Sequence, residues 1–575
     1  MTETKRNAPP KRAAEIKAQN GERTLFLNGK PITPLLRDVK AGNKIKTAGN
    51  PGLYRLRGVG LGWTASQSFD YTEMDGRIEA LLAADKDAYF LLEVNVDAPD
   101  WWLAANPAEQ SAFCLPAPDG ANQKDVASWA SAKWRNETNR ALMQLVRHAK
   151  NAKYSERVAG YQIAAGEGGT WRHPQADRLP DIGPRMTERY IQFAQEKYRR
   201  NEGVLRKEWF DAKIQFQRIT CPTARDRDQA FYGAFRNPLR SRRLLDYYEC
   251  FASTQNDAAL LFCETVKKTT EGAALVGLSY AAFPGFDTPA EDGTLYPDAV
   301  MNSAEVDFFI KPEHPTRFPY LPLASFGLRG KFVFNVEKNP LPGKTFVPAP
   351  IAIVADYAAL SYLRPAERWA AEAALGGQIR ELESGGIAFD LYALADIFHA
   401  HLPNYKVWIF PNAYYLSEAE RRRIDARIKR SEQTAVFFWG VGLCGETGIN
   451  AEFGQRLYGQ KMRLESNESN LRVRHASEKD PIMADQKPKA HFGSERAAAP
   501  TATVNDKDIV RLGANADNKT NFSVLRYPQW TSVYCGAAPL PASIIQKLFA
   551  VEEPEVKMES KPEAPRSRKA DEDEE

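Results

Sequence analysis

Gly160-Tyr-Gln-Ile-Ala-Ala-Gly-Glu-Gly-Gly-Thr-Trp171 is the stretch whose reading decides the fold. An apolar run from Val158 to Ala165 stops at Glu167, and Gly166, Gly168 and Gly169 crowd around that carboxylate. Tyr161 to Ile163 reads as a buried strand, and Gly166 to Gly169 as the turn at its carboxyl end. In a parallel βα-barrel that end of a strand faces the active site. A carboxylate set among glycines and a tryptophan can lose enough solvent to serve as a general acid. An ordinary loop glutamate is the competing reading of the same residues.

A second stretch supplies a partner. In Gly330-Lys-Phe-Val-Phe-Asn-Val-Glu-Lys-Asn-Pro340 a short β-rich run, Phe332 to Val336, again ends in a glutamate, Glu337. Two strand-terminal glutamates far apart in sequence match the needs of a retaining glycosidase. One carboxyl protonates the leaving oxygen while the other attacks the anomeric carbon, from roughly 5–5.5 Å away. Read without that partner, Glu337 is a surface glutamate before a Lys-Asn-Pro turn.

Further stretches follow in order: Phe26-Leu-Asn-Gly-Lys-Pro31, Ala98-Pro-Asp-Trp-Trp102, Asp246-Tyr-Tyr248, Val276-Gly-Leu-Ser-Tyr280 and Glu305-Val-Asp-Phe308. With the two glutamate stretches, they make residues 24 to 340 resemble the β-galactosidase group of glycoside hydrolase family 42. The resemblance implies a (β/α)8-type barrel, Glu167 as acid/base and Glu337 as nucleophile, no cofactor, and a trimerisation domain after the barrel. The chain departs from the pattern twice. The clan places Asn before the acid/base, and here that residue is Gly166. The family also follows its nucleophile with a long helix and a last strand, for which Lys338 to Pro350 is too short. The expectation is therefore a barrel incomplete at its last strand or closed in another way.

The 575 residues are enough for two or three domains, and an apolar content of 43% with 26% charged residues is that of an ordinary globular chain. A net charge of +4 is small for this length and gives no footprint for nucleic acid. The six cysteines are scattered without a Cys-x-x-Cys pair, which argues against a structural metal site and suits a reducing compartment. Cys263 falls with Ala259, Phe262 and Val266 on one apolar helical face and is expected in the core. No apolar run of about 20 residues is present, so no membrane span is expected. Met1 to Arg23 lacks the apolar stretch of a leader, and the expected location is the cytoplasm.

In chain order, residues 1–22 read as an unfolded tail and residues 23–350 as the barrel. A hairpin at Thr24 to Ile32 turns on Asn28-Gly29. Candidate sugar contacts are Asn95 and Trp101 after the strong β run Ala88 to Val96, Trp171, Tyr280 at a strand end, and Asn335. Aromatic faces stack on sugar C–H surfaces. His173 is a loop histidine, either solvated or a hydroxyl contact. Residues 351–550 alternate strands and helices in a flavodoxin-like α/β pattern, with a capping box at Ser417 to Glu420. No glycine-rich loop follows Asp356, which argues against nucleotide binding. Arg474 to Lys507 reads as a long loop, and residues 551–575 are too charged and Pro-rich to fold.

The reading is a retaining β-glycoside hydrolase, β-galactosidase-like, acting on an oligosaccharide or β-glycoside as a homotrimer. The alternatives are a catalytically impaired carbohydrate-binding relative, or a β-mannosidase or β-glucosidase-type specificity.

Overall fold

The computed structural model describes residues 13–19, 22–40, 52–118, 125–280, 282, 290–311, 320–337, 349–430, 432–476, 480–483, 486–487 and 490–549. Ala14–Gln19 (β1), expected in the unfolded tail, is a strand antiparallel to Glu22–Leu27 (β2). Its Ala14 is buried with Leu25 and Leu27, which is what holds it. Lys30–Ile32 (β3) completes this small sheet across the Asn28-Gly29 turn, where both residues take positive φ. Residues 1–12, 20–21, 338–348 and the expected tail 551–575 lie outside the described residues.

The barrel is built from Leu35–Val39 (β4), Leu53–Val59 (β5), Tyr89–Asn95 (β8), Val158–Ala164 (β9), Leu275–Leu278 (β10), Phe308–Ile310 (β11) and Phe332–Val336 (β12). Trp63–Ala65 (β6) and Ser68–Phe69 (β7) form a hairpin in the loop after β5. All seven barrel strands run parallel, and β12 pairs directly with β4, Asn335 opposite Leu35 and Val336 opposite Leu36. The barrel, expected to be incomplete at its last strand or closed in another way, is closed by seven strands. The short spacing after Glu337 removes a strand without leaving an open edge.

Strand alternation divides the side chains. Leu36, Leu53, Leu91, Leu275, Phe308, Phe334 and Val336 fill the bore on one face, sealed at the amino end by Leu25 and Leu27. The other face packs on helices, chiefly Ala132–Asn151 and Arg242–Thr269. Burying Leu142, Leu145, Val146, Phe262, Cys263 and Val266 on these two contributes roughly 1.5–3 kcal/mol for each large side chain.

The second domain carries Ile351–Ala355 (β13), Phe389–Ala393 (β14), Val407–Phe410 (β15) and Gln433–Phe438 (β16). With Trp530–Cys535 they make a parallel run in the order β14-β13-β15-β16 and then that last strand. This is the 2-1-3-4-5 order of flavodoxin-like sheets. Four antiparallel strands extend it, among them Ser469–His475 and His491–Ala498. The long loop expected over Arg474 to Lys507 is corrected accordingly. His491–Ala498 is the end strand with most of its residues exposed, and Ser469–His475 beside it is largely half-buried, so their sequences stay polar and read as a loop.

Close backbone approach explains one glycine in the barrel. A Cβ on Gly160 would lie 2.3 Å from the carbonyl oxygen of Leu275 on the adjoining strand. Gly160→Ala is therefore expected to cost about 1–3 kcal/mol in chemical denaturation. Gly76, exposed within helix Thr72–Ala84, is the control, because a methyl group there would meet nothing within 4 Å. Gly76→Ala should raise stability by roughly 0.5–1 kcal/mol.

Candidate active site

Glu167 and Glu337 follow the fourth and seventh barrel strands, β9 and β12, at their carboxyl ends. Glu167 is exposed and sits in a tight loop. Its N–H donates to the Arg172 carbonyl at 2.9 Å, and the Trp171 N–H donates to the Ala165 carbonyl at 2.8 Å. Gly166 has φ 69° and ψ −156°, backbone that side-chain-bearing residues avoid. A Cβ there would also lie 2.2 Å from the Arg172 oxygen. Asparagine, the residue the resemblance leads one to expect, does not fit this loop. The Gly166 N–H donates instead to Asp97 Oδ1 at 3.0 Å, tying the loop to the end of β8.

Glu337 lies at the seam. Its N–H donates to the Leu36 carbonyl at 3.0 Å, and its carboxylate takes the Arg37 Nε at 3.3 Å. The Glu337 side chain is 54% exposed and that of Arg37 28%. By strand alternation the pair lies at the seam on the face opposite Leu36 and Val336, away from the bore. Arg55, 2% exposed, donates to both Asp38 oxygens at 2.7 Å and to Gln162 Oε1 at 3.2 Å. Arg57 Nε reaches Glu93 at 3.2 Å. Four strands thus contribute to one buried charged layer, in which removing a partner would strand an uncompensated charge. A cavity of about 510 Å³ opens among the loops after β5 and β8, lined by Trp63, Tyr71, Arg77, Asn95, Asp97 and Asp100 and by neither glutamate. A larger one, about 650 Å³, lies at the amino end beside Leu27, Tyr89 and Arg157, away from the face that carries barrel chemistry.

No protein-family model matches this chain, and no curated protein matches it by sequence. Solved structures do match. The β-galactosidase from Bacillus circulans sp. alkalophilus aligns over 86% of this chain and 83% of its own, with TM-score 0.57 and 13% identity. That from Rahnella sp. R3 aligns over the same shares, 86% and 83%, at TM-score 0.60 and 12% identity. A catalytic mutant of Gan42B, a GH42 β-galactosidase from G. stearothermophilus, covers 84% and 80% at TM-score 0.56 and 11% identity. The chain has the fold of the family 42 β-galactosidases.

Within this fold the other candidate residues divide. Asn95 is exposed, its Oδ1 accepting the Asp97 N–H at 2.9 Å, and it borders the cavity. Trp101 is half-buried, edge-on to Trp63 at 4.9 Å, with its indole N–H on the Trp63 carbonyl. Asn335 is half-buried on β12, on the face opposite to Phe334 and Val336. Trp171 and Tyr280 are corrected to core residues. Trp171 has no exposed surface and donates its indole N–H to the Ile163 carbonyl at 3.0 Å. The Tyr280 hydroxyl donates to Asn256 Oδ1 at 2.7 Å and accepts from Gln255, both on the long helix behind the barrel. Neither ring presents a face to a ligand. Arg37, Asp38, Arg55, Arg57, Glu93 and Asp97 escaped the sequence reading as a group. Their signal was charge at alternate positions near the ends of otherwise apolar strands.

His173 is neither solvated nor at the cavity. It is 1% exposed, beside Trp129, Phe113 and Phe251, with Nδ1 2.6 Å from the Pro174 carbonyl and Nε2 3.3 Å from Ser111 Oγ. Burial pushes its pKa down from 6.5 to about 4. Asp181, which also accepts from Ser111, is pushed up by burial and acts in the opposite sense. The unfolded chain binds the His173 proton more tightly, so its contribution is complete above pH 6.5 and is lost as pH falls towards about 4. That contribution is on the order of 3 kcal/mol. His173→Phe, which leaves Asp181 in place, should flatten the fall in unfolding free energy across that window. Equal slopes for both proteins would contradict the assignment.

Proposed function

We propose that the protein is a retaining β-glycoside hydrolase, β-galactosidase-like, with Glu167 as acid/base and Glu337 as nucleophile. The observation that carries the reading is the placement of these two carboxylates at the carboxyl ends of the fourth and seventh strands of a closed parallel barrel. The fold shared with β-galactosidases supports it. In the first step Glu337 attacks the anomeric carbon while Glu167 gives its proton to the departing oxygen. In the second, Glu167 takes a proton from water, and that water releases the sugar from Glu337. Arg37 holds the Glu337 carboxylate in place between turnovers. The cavity bordered by Asn95, Asp97 and Trp63 supplies polar groups and an aromatic edge suited to a sugar.

Glu337→Gln keeps the shape of the side chain and removes the attacking charge. Hydrolysis of nitrophenyl β-galactoside should fall by at least about a thousandfold, roughly 4 kcal/mol of barrier. Glu167→Ala should spare substrates with activated leaving groups, which need no proton, and azide should restore turnover with a β-azide product. Near wild-type turnover in the first variant, or equal loss on all substrates in the second, would sink the corresponding role.

The exposure of Glu337 and the replacement of Asn by Gly166 favour a second reading, a carbohydrate-binding relative without turnover. Saturable binding of galactosides with no hydrolysis across a panel of aryl β-glycosides would establish it. For assembly we propose a homotrimer formed through the second domain, since a closed ring satisfies every copy of a heterologous interface. Light scattering should give three times the chain mass, with activity falling on dilution. A fully active monomer would refute it.

A further inference from the structure

The turn Ala290–Asp292, in the loop after β10, carries two adjacent buried carboxylates that face different parts of the molecule. Asp292 faces the acid/base loop. Its Oδ2 accepts Arg172 Nε at 2.9 Å, and its backbone carbonyl accepts the His173 N–H at 2.8 Å. Arg172 is the residue whose own carbonyl holds the Glu167 N–H. Asp292 is fixed in turn by Thr294, whose N–H and hydroxyl donate to its Oδ1 at 2.8 and 2.7 Å. Glu291 faces the other way. Its Oε2 accepts Arg368 Nη2 at 3.1 Å, its Oε1 accepts the Tyr248 hydroxyl at 2.6 Å, and Arg227 stands 3.9 Å off. Arg368 belongs to the second domain, at the start of helix Arg368–Glu372.

The side chains of Glu291 and Asp292 are 0% and 1% exposed. Ion pairs with so little solvent are not exchanged for water at small cost, and breaking one strands a charge. The series Arg368, Glu291, Asp292, Arg172, Glu167 is therefore a continuous strut of charge-assisted and backbone bonds from the second domain to the candidate acid/base.

We infer that the second domain positions the acid/base, with Arg368 and Glu291 acting as positioning residues for Glu167 through the Asp292–Arg172 pair. The inference rests on the reading of Glu167 given above. A domain that served assembly alone would not need to place an arginine on this turn. Loss of the strut lets the Arg172 carbonyl, and with it the Glu167 loop, shift away from the leaving oxygen while Glu337 and Arg37 at the opposite seam keep their geometry. The step that suffers is proton donation alone.

The test compares kcat/KM for aryl β-glycosides with good and poor leaving groups in the full-length protein and in Arg368→Ala, Arg368→Lys, Glu291→Gln and Glu167→Ala. Arg368→Ala is expected to lose about tenfold or more on poor leaving groups and little on activated ones, in kcat rather than KM. Arg368→Lys should recover most of the loss. Glu291→Gln keeps hydrogen-bonding capacity with less disruption, and should show the same split if Arg368→Ala fails to fold. Equal loss on both substrate types in folded Arg368→Ala or Glu291→Gln, or no loss, overturns the strut while Glu167→Ala still shows the split. Absence of the split in Glu167→Ala itself overturns the acid/base reading and the strut's role together.

Discussion

The backbone pairing of β12 with β4 closes the molecule's barrel. The Asn335 N–H donates to the Pro34 carbonyl at 3.1 Å and the Glu337 N–H to the Leu36 carbonyl at 3.0 Å. A parallel sheet with two free edges would expose unpaired N–H and C=O groups, and this seam removes both edges at once. It also decides where Glu337 stands. Because β12 joins β4 without an intervening strand, Glu337 comes to rest beside Arg37. Because the ring has seven strands, Phe308, Phe334, Leu36 and Leu91 pack across the bore, and the charged layer of Asp38, Arg55, Glu93 and Gln162 lies above them.

The site therefore rests on a filled barrel. Glu337 stands at the seam after β12, and after β9 comes a loop whose shape is set by glycine. Three glycines of that loop, Gly166, Gly168 and Gly169, take φ of 69°, 61° and 74°, and Trp171 follows at 61°. Such backbone persists only where its surroundings impose it. Here the buried Trp171 indole, the Asp97 carboxylate and the Arg172–Asp292 pair impose it from three directions. The loop's rigidity is thus assembled from residues spread over more than a hundred positions of sequence.

Much of this fold is legible in the sequence, and the reason is periodicity. The apolar runs ending at Glu167 and Glu337 are strands because the barrel buries them, and strand ends in such a barrel are where function sits. The flavodoxin-like strand order follows from strands and helices alternating over short loops. What stayed hidden depends on side chains meeting across the chain. Trp171 and Tyr280 look like sugar platforms because aromatic residues at strand ends are common to cores and to sites, and only their buried hydrogen bonds separate the two. His173 reads as a loop histidine because nothing local announces Trp129, Phe113 and Phe251 around it. The polar strands Ser469–His475 and His491–Ala498 read as loop for the converse reason, that sheet-end strands need little apolar sequence.

The claim at the centre of this account is that Glu337 forms a covalent bond to sugar. Incubation with a 2-deoxy-2-fluoro-β-galactoside carrying a good leaving group slows release from the enzyme more than attack, so the intermediate accumulates. Mass spectrometry of the digested protein should then find the fluorosugar on the peptide that contains Glu337, and on Glu337 itself after fragmentation. A label on any other carboxylate, or time-dependent inactivation with no label at Glu337, would contradict the account.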